Sequence, residues 1–182
     1  METPPLPADP RLADGEVLLR RHRDADLDGV LEQGRDPGTQ RWVPVPVPYG
    51  PQQARDYLAA VRADHAAGRA LALAVVVGGR FAGSVDLRLE GAGWGEVGYG
   101  LAPWARGRGV GTRALRLLLT WAFDEAGLAG VHWRALVGNE ASRRTAQACG
   151  VRVEGTVRGL LDHRGERRDG WIGSVLAGEL VR

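Results

Sequence analysis

The sequence predicts an α/β fold: a mixed, mostly antiparallel sheet containing one parallel strand pair and flanked by helices. Three observations carry this. Strand-like runs alternate with helical runs along most of the 182 residues. Gly78-Gly79 separates "RALALAVVV" (69–77) from "RFAGSVDLRL" (80–89), and a two-residue Gly-Gly linker is the turn of an antiparallel hairpin. "WGEVGYGLAP" (94–103) and "VHWRALV" (131–137) flank one long helix, and strands joined through a helix lie parallel.

The elements follow in order. The Pro-rich opening, 1–13, is expected to be a flexible tail ahead of a single domain at 14–182. "GEVLLRR" (15–21) reads as the first strand and "DADLDGVLEQG" (24–34) as a short helix, with Asp24 placed to cap it. "DPGTQRWVPVPVPYGP" (36–51) carries prolines at 37, 44, 46, 48 and 51, which favour a stiff, extended loop. "PQQARDYLAAVRADHAAG" (51–68) opens with Pro51 at a helix start, repeats apolar residues at helical spacing and stops at Gly68. Glycines 95, 98 and 100 in the strand at 94–103 imply a bulge or the close approach of a ligand. The helix from about 109 to 126 has one narrow polar stripe, Arg113, Arg116, Thr120 and Asp124, so most of its surface is buried. "NEASRRTAQACG" (139–150) is a short helix ended by Gly150, and 151–180 is a long hairpin turning near Arg164-Gly165.

Composition narrows the function. All 24 basic residues are arginine, which excludes the P-loop and every mechanism that needs a catalytic lysine. A net charge of +2 does not imply a nucleic-acid partner, and no apolar run reaches the roughly 18 residues of a membrane span. One cysteine, Cys149, rules out an internal disulfide. His22, His65, His132 and His163 lack ligand partners at metal spacing, so no metal is expected, and no serine lies in a nucleophile-elbow motif. The expectation is a cytoplasmic protein with no nucleic-acid or membrane partner, and a homodimer is allowed.

The stretch "LAPWARGRGVGTRALRLLLTWAF" (101–123) turns a strand directly into the N-terminus of a buried helix, where unpaired N–H groups and the positive end of the helix dipole converge. Gly107, Gly109 and Gly111 remove side chains that would keep a phosphate from those groups, and Arg106 and Arg108 can add charge-assisted bonds. The stretch therefore reads as a pyrophosphate cradle, or as a glycine-rich loop with solvated arginines. A dinucleotide fingerprint is excluded, because Thr112 stands where it needs glycine and the next strand lacks the acidic residue.

Arg106-x-x-Gly109-x-Gly111 at a strand-to-helix turn resembles the acyl-CoA-binding motif of the GNAT superfamily of N-acyltransferases. "NEASRRTAQACGV" is similar to that family's second helix, and with "EVGYGLAP", the "RWVPVPVPY" loop and the C-terminal hairpin the resemblance is to the RimJ/RimL-type branch over about 14–180. It implies a GNAT-like fold, acetyl-CoA or a near relative as co-substrate, and attack by a primary amine in a ternary complex. The acceptor would be a protein N-terminal α-amine or a small molecule. CoA contacts would come from Leu101, Arg106, Gly107, Arg108, Gly109, Val110, Gly111, Thr112, Asn139, Ser142 and Arg143. Two positions depart from the family: Val151 replaces an aromatic residue, and Ala146 replaces the tyrosine that protonates the departing thiolate in many members. With Ala146 there, an acyl-CoA-binding module without catalysis is the competing reading.

An ammonium acceptor, with a pKa of about 8 to 10, must lose a proton before attack. Glu96 is the candidate base, on the same strand face as Gly98 and Gly100 where the family keeps a carboxylate; the other reading is a solvated strand glutamate. Asp86 is the second candidate and a candidate acceptor contact. The resemblance implies that backbone N–H near Leu101 holds the oxyanion. Ser142 or Asn139 could supply the thiolate proton, or both could simply organise the helix start while water does so. Trp42 and Tyr49 either wall the acceptor pocket or pack down on the core.

Overall fold

In the computed structural model, which describes residues 6–182, thirteen strands and helices form around one eight-stranded sheet of order β1-β2-β3-β4-β5-β6-β8-β7. The strands are β1 (Arg11–Asp14), β2 (Val17–Arg21), β3 (Ala70–Val77), β4 (Arg80–Gly91), β5 (Trp94–Leu101), β6 (Gly130–Leu136), β7 (Arg152–His163) and β8 (Glu166–Leu176). The helices are α1 (Leu27–Arg35), α2 (Pro37–Trp42), α3 (Pro51–Ala66), α4 (Val110–Asp124) and α5 (Glu140–Gln147). Only β5 and β6 pair in parallel, as the crossover through α4 requires.

Each turn in the sheet is set by local chemistry. Gly78 and Gly79 both take positive φ, 57° and 79°, which a tight hairpin turn between β3 and β4 demands. Arg164 and Gly165 do the same between β7 and β8.

Three expectations are corrected. Residues 11–13, expected as the end of a tail, form β1 together with Asp14 and pair with β2, so only the first five residues of that expected tail lie outside the described region. Asp24 does not cap: it is exposed on Arg62, while Asp26 accepts from the Arg23 N–H at 2.8 Å and from both Arg20 terminal nitrogens. Residues 37–42, expected as extended, are helical. Asp36 caps them by accepting from the Thr39 N–H at 2.7 Å, and Pro37 occupies the first position, where its missing N–H costs nothing.

The core lies on both sheet faces. α4 fills one side with Leu115, Leu118 and Leu119, all fully buried against Val17, Leu73, Val85, Val97 and Trp133. The other side carries α1 to α3, with Val30, Ala54 and Leu58 packed on Ala74, Val76 and Phe81. Among the described residues no helix is long and apolar enough to cross a membrane.

Candidate active site

The sheet opens at its parallel pair. β5 and β6 are paired only from Trp94–Gly130 to Val97–Trp133, yet β5 continues to Leu101 on β4 and β6 continues to Leu136 on β8. Beyond Val97 the two inner edges part, and the β5 backbone from Gly98 to Leu101 has no ladder partner on that side. Unpaired strand edges inside a fold invite an extended ligand. A cleft of about 400 Å³ occupies the gap, walled by α1, α2, the 43–45 loop, the start of α5 and the end of β7.

Its floor is polar because of which residues face each other. Ser84 pairs with Gly100 and Asp86 with Gly98, so neither polar side chain is covered from the neighbouring strand. A Cβ at Gly98 would meet Asp86 Oδ1 at 2.7 Å, and one at Gly100 would meet Gln33 Nε2 at 3.0 Å. Gly98 and Gly100 therefore leave room for the Asp86 and Gln33 side chains. The β4–β5 register runs unbroken past Gly98 and Gly100 and shifts between Leu89 and Gly91, opposite Trp94 and Gly95, so an irregularity falls at the Gly95 end of β5 and none at Gly98 or Gly100.

A chain of charges crosses this floor. Arg88 donates to Asp86 and to Glu96, each at 2.5 Å, and Arg134 reaches the other Glu96 oxygen at 2.9 Å. Glu96 is in the cleft, with its side chain only 14% exposed, so it is not a solvated surface glutamate. Both of its oxygens are nevertheless committed to guanidinium donors. Asp86 commits only one, and burial, with Glu96 adding to it and Arg88 opposing, pushes its carboxyl above the usual range.

Across the gap, Ser142 joins two aromatic residues. Its hydroxyl donates to Tyr99 Oη at 3.1 Å and accepts from Trp133 Nε1 at 3.2 Å, while Tyr99 Oη donates to the Ser142 carbonyl at 2.7 Å. Asn139 caps α5 by accepting from the Ser142 N–H at 3.2 Å. Ala146 is wholly buried in the core. Sequence reasoning missed Tyr99; its only signal was its place on β5, on the face opposite Glu96.

At the cradle, Gly107 and Gly109 have φ of 71° and 74°, and nothing lies within 4 Å of a Cβ added at either. Gly109 is the N-cap of α4, followed by Val110, Gly111 and Thr112, whose N–H groups open the helix. Arg108 is exposed beside them. Arg106 is not free: its guanidinium donates to Asp36 at 2.6 Å, to Thr39 Oγ1 at 3.0 Å and to the Leu101 carbonyl at 3.0 Å. Arg143 stacks its guanidinium on the Trp171 ring at 4.9 Å.

Trp42 walls the cleft from the end of α2, under the Arg41 guanidinium. Tyr49 contributes less to the wall, being 8% exposed and packed with Val30 and Phe81. Tyr57 and Ser84, which the sequence did not single out for this site, also line it.

Comparison with known proteins follows the same lines. A family model described as "Acetyltransferase (GNAT) domain" matches residues 16–152. A protein of Bacillus subtilis (strain 168) named "Putative ribosomal N-acetyltransferase YdaF" is 40% identical over 74 residues, a match spanning 41% of this chain and 40% of that protein. Among solved structures, Mycobacterium smegmatis RimJ in complex with CoA-disulfide superposes with a TM-score of 0.84 at 24% identity, covering 96% of this chain and 89% of that one. The ribosomal-protein-S5-alanine acetyltransferase of Vibrio fischeri gives 0.80 at 20% identity, covering 96% and 100%. At these identities the structural likeness establishes the fold.

Proposed function

This chain belongs to the acetyltransferase (GNAT) family, and on that premise we propose that it transfers an acetyl group from acetyl-CoA to a primary amine by direct attack in a ternary complex. The observation that carries the proposal is the parting of β5 from β6 beyond Val97, which joins two chemically different half-sites through the sheet. One half lies beside the start of α4 and suits a pyrophosphate; the other holds carboxylates and suits an ammonium.

Acetyl-CoA would lay its pyrophosphate on the N–H groups of Val110, Gly111 and Thr112, with Arg108 adding charge, and its pantetheine arm along the open β5 edge. The thioester would then reach the gap at Gly98 to Leu101, where unpaired β5 backbone N–H groups can hold the developing oxyanion. The amine would approach over Gly98 from the opposite face. Asp86 takes its proton, because the raised carboxyl matches an amine better than an ordinary aspartate would and one oxygen is open to the cleft. Glu96 has a supporting part here: it holds Arg88 and Arg134, and Arg88 in turn fixes Asp86.

On the thiol side, Ser142 or Tyr99 would turn its hydroxyl proton from its present acceptor, Tyr99 Oη or the Ser142 carbonyl, to the leaving sulfur as the C–S bond breaks. Among acceptors, the names of the relatives favour a protein N-terminal α-amine, and the apolar wall at Trp42, Val43 and Val45 suits the first side chains of a peptide.

Initial-velocity measurements test the order of events. Varying acetyl-CoA against peptide amides that begin with alanine or serine should give intersecting double-reciprocal lines. Parallel lines would mean a covalent acetyl-enzyme and would overturn direct attack.

A further inference from the structure

We infer that Ser84, with its hydroxyl proton held by the buried His22, is a hydrogen-bond acceptor that orients the incoming amine beside Asp86. The inference rests on the amine-transfer reading and adds residues to its acceptor half.

The geometry begins with His22, which is 7% exposed and enclosed by Tyr57, 5.5 Å away edge-on, and by Phe81. Its Nε2 lies 3.0 Å from Ser84 Oγ. Ser84 pairs with Gly100, lines the cleft and shares a strand face with Asp86 two residues on. A serine hydroxyl has one proton and two lone pairs, so the direction of that proton decides what the cleft sees.

The ring tautomer settles the direction. His22 Nδ1 is buried with no hydrogen bond of good geometry, and the Ala72 carbonyl beside the ring favours a proton there. A bare nitrogen lone pair facing a carbonyl oxygen would be repelled, whereas N–H is attracted, so the network assigns the proton to Nδ1. Nε2 is then an acceptor, and Ser84 must donate to it. Burial keeps the imidazole neutral, lowering its pKa to about 4 against the attraction of Asp26, so it does not compete as a donor at neutral pH. The Tyr57 hydroxyl, also a hydrogen-bond partner of Ser84, can take one of the two Ser84 lone pairs, and the other faces the cleft. An amine offers N–H there, and accepting it on Ser84 while Asp86 takes the other proton aims the nitrogen lone pair along one direction. His22 touches no reactant: it is a positioning residue acting through Ser84.

The test joins spectroscopy with kinetics on the full chain. Histidine ring ¹³C and ¹⁵N shifts should report His22 as the neutral Nδ1–H tautomer at pH 7; the Nε2–H tautomer would overturn the inference whatever the activity. With an alanine- or serine-starting peptide amide as probe, Ser84→Ala should raise the acceptor KM roughly three- to ten-fold, the range of one neutral hydrogen bond, while the Kd for CoA stays constant. His22→Leu should match it, His22→Gln, which keeps an acceptor near the Nε2 position, should recover most of the affinity, and Ser84→Ala with His22→Leu together should be no worse than Ser84→Ala alone. Additive losses, or a CoA Kd that rises in step with KM, would assign the pair to structure and refute it. Absent acetylation by the unmodified chain would count against the transfer reading, whereas the tautomer bears on Ser84 and His22 alone.

Discussion

Arg106 Nη2 lies 2.6 Å from Asp36 Oδ2, joining the glycine turn before α4 to the first turn of α2, seventy residues earlier in the chain. The contact links the two halves of the site, because α2 ends in Trp42 on the acceptor wall. Asp36→Asn tests the link cleanly: asparagine caps a helix as well as aspartate does, so the substitution removes the charge pair and keeps the cap. The acceptor KM should rise about two- to five-fold, in keeping with a partly exposed ion pair, with the CoA Kd nearly unchanged. Equal changes in both constants would show that the pair serves folding alone.

Gly109 makes the cradle separable from the fold. Its φ of 74° strains any other residue, yet the space around it is open. Gly109→Ala should therefore cost about 1 kcal/mol of stability through the backbone, and Gly109→Asp should add a repelling charge where the pyrophosphate lies. Calorimetry should show at least a ten-fold weaker CoA Kd for the aspartate variant than for the alanine variant. Matching affinities for the two would remove the cradle from the account.

The raised Asp86 carboxyl carries a pH signature. When protonated, Asp86 cannot accept the amine proton, so kcat/KM should fall as pH drops, and the fall should begin above the range of an ordinary aspartate. Asp86→Asn should lower kcat by a hundred-fold or more and abolish that limb, and Glu96→Gln should keep it. If the limb survives Asp86→Asn and vanishes with Glu96→Gln, the base is Glu96.

His22 couples pH to stability. Its folded pKa of about 4 lies below the unfolded value near 6.5, so between these values the unfolded chain binds a proton that the folded chain does not. Its contribution is complete above pH 6.5 and is lost as pH falls toward 4, by about 3 kcal/mol. Urea unfolding at a series of pH values should show this loss in the unmodified chain and a shallower dependence in His22→Gln. Identical slopes would contradict a neutral, buried His22.

Local sequence signals found what local chemistry decides. Gly78-Gly79, Gly68 and Gly150 marked their turns because positive φ leaves few alternatives, and the parallel pair followed from one helix between two strands. The helix at 37–42 is masked by the prolines at 44, 46 and 48, which extend a Pro-rich run from Pro37, although Asp36-Pro37 alone is a helix-start signal. The site was legible in its residue types and not in their partners. Nothing near position 106 in the chain reveals that Arg106 reaches Asp36, and Glu96 is held between Arg88 and Arg134 only once three strands are in register. Ser84 became visible through its pairing with Gly100 and its contact with His22, sixty-two residues away.

The central claim is that the two half-sites meet to pass an acetyl group from sulfur to nitrogen. The direct measurement is to incubate the protein with acetyl-CoA and peptide amides beginning with alanine or serine, then quantify free CoA thiol and acetylated peptide in the same sample. Equal amounts of both, each requiring enzyme and peptide, are the predicted result. CoA bound at the cradle by calorimetry, with no thiol release above the peptide-free rate for any peptide or small amine offered, would contradict it and leave an acyl-CoA-binding module in its place.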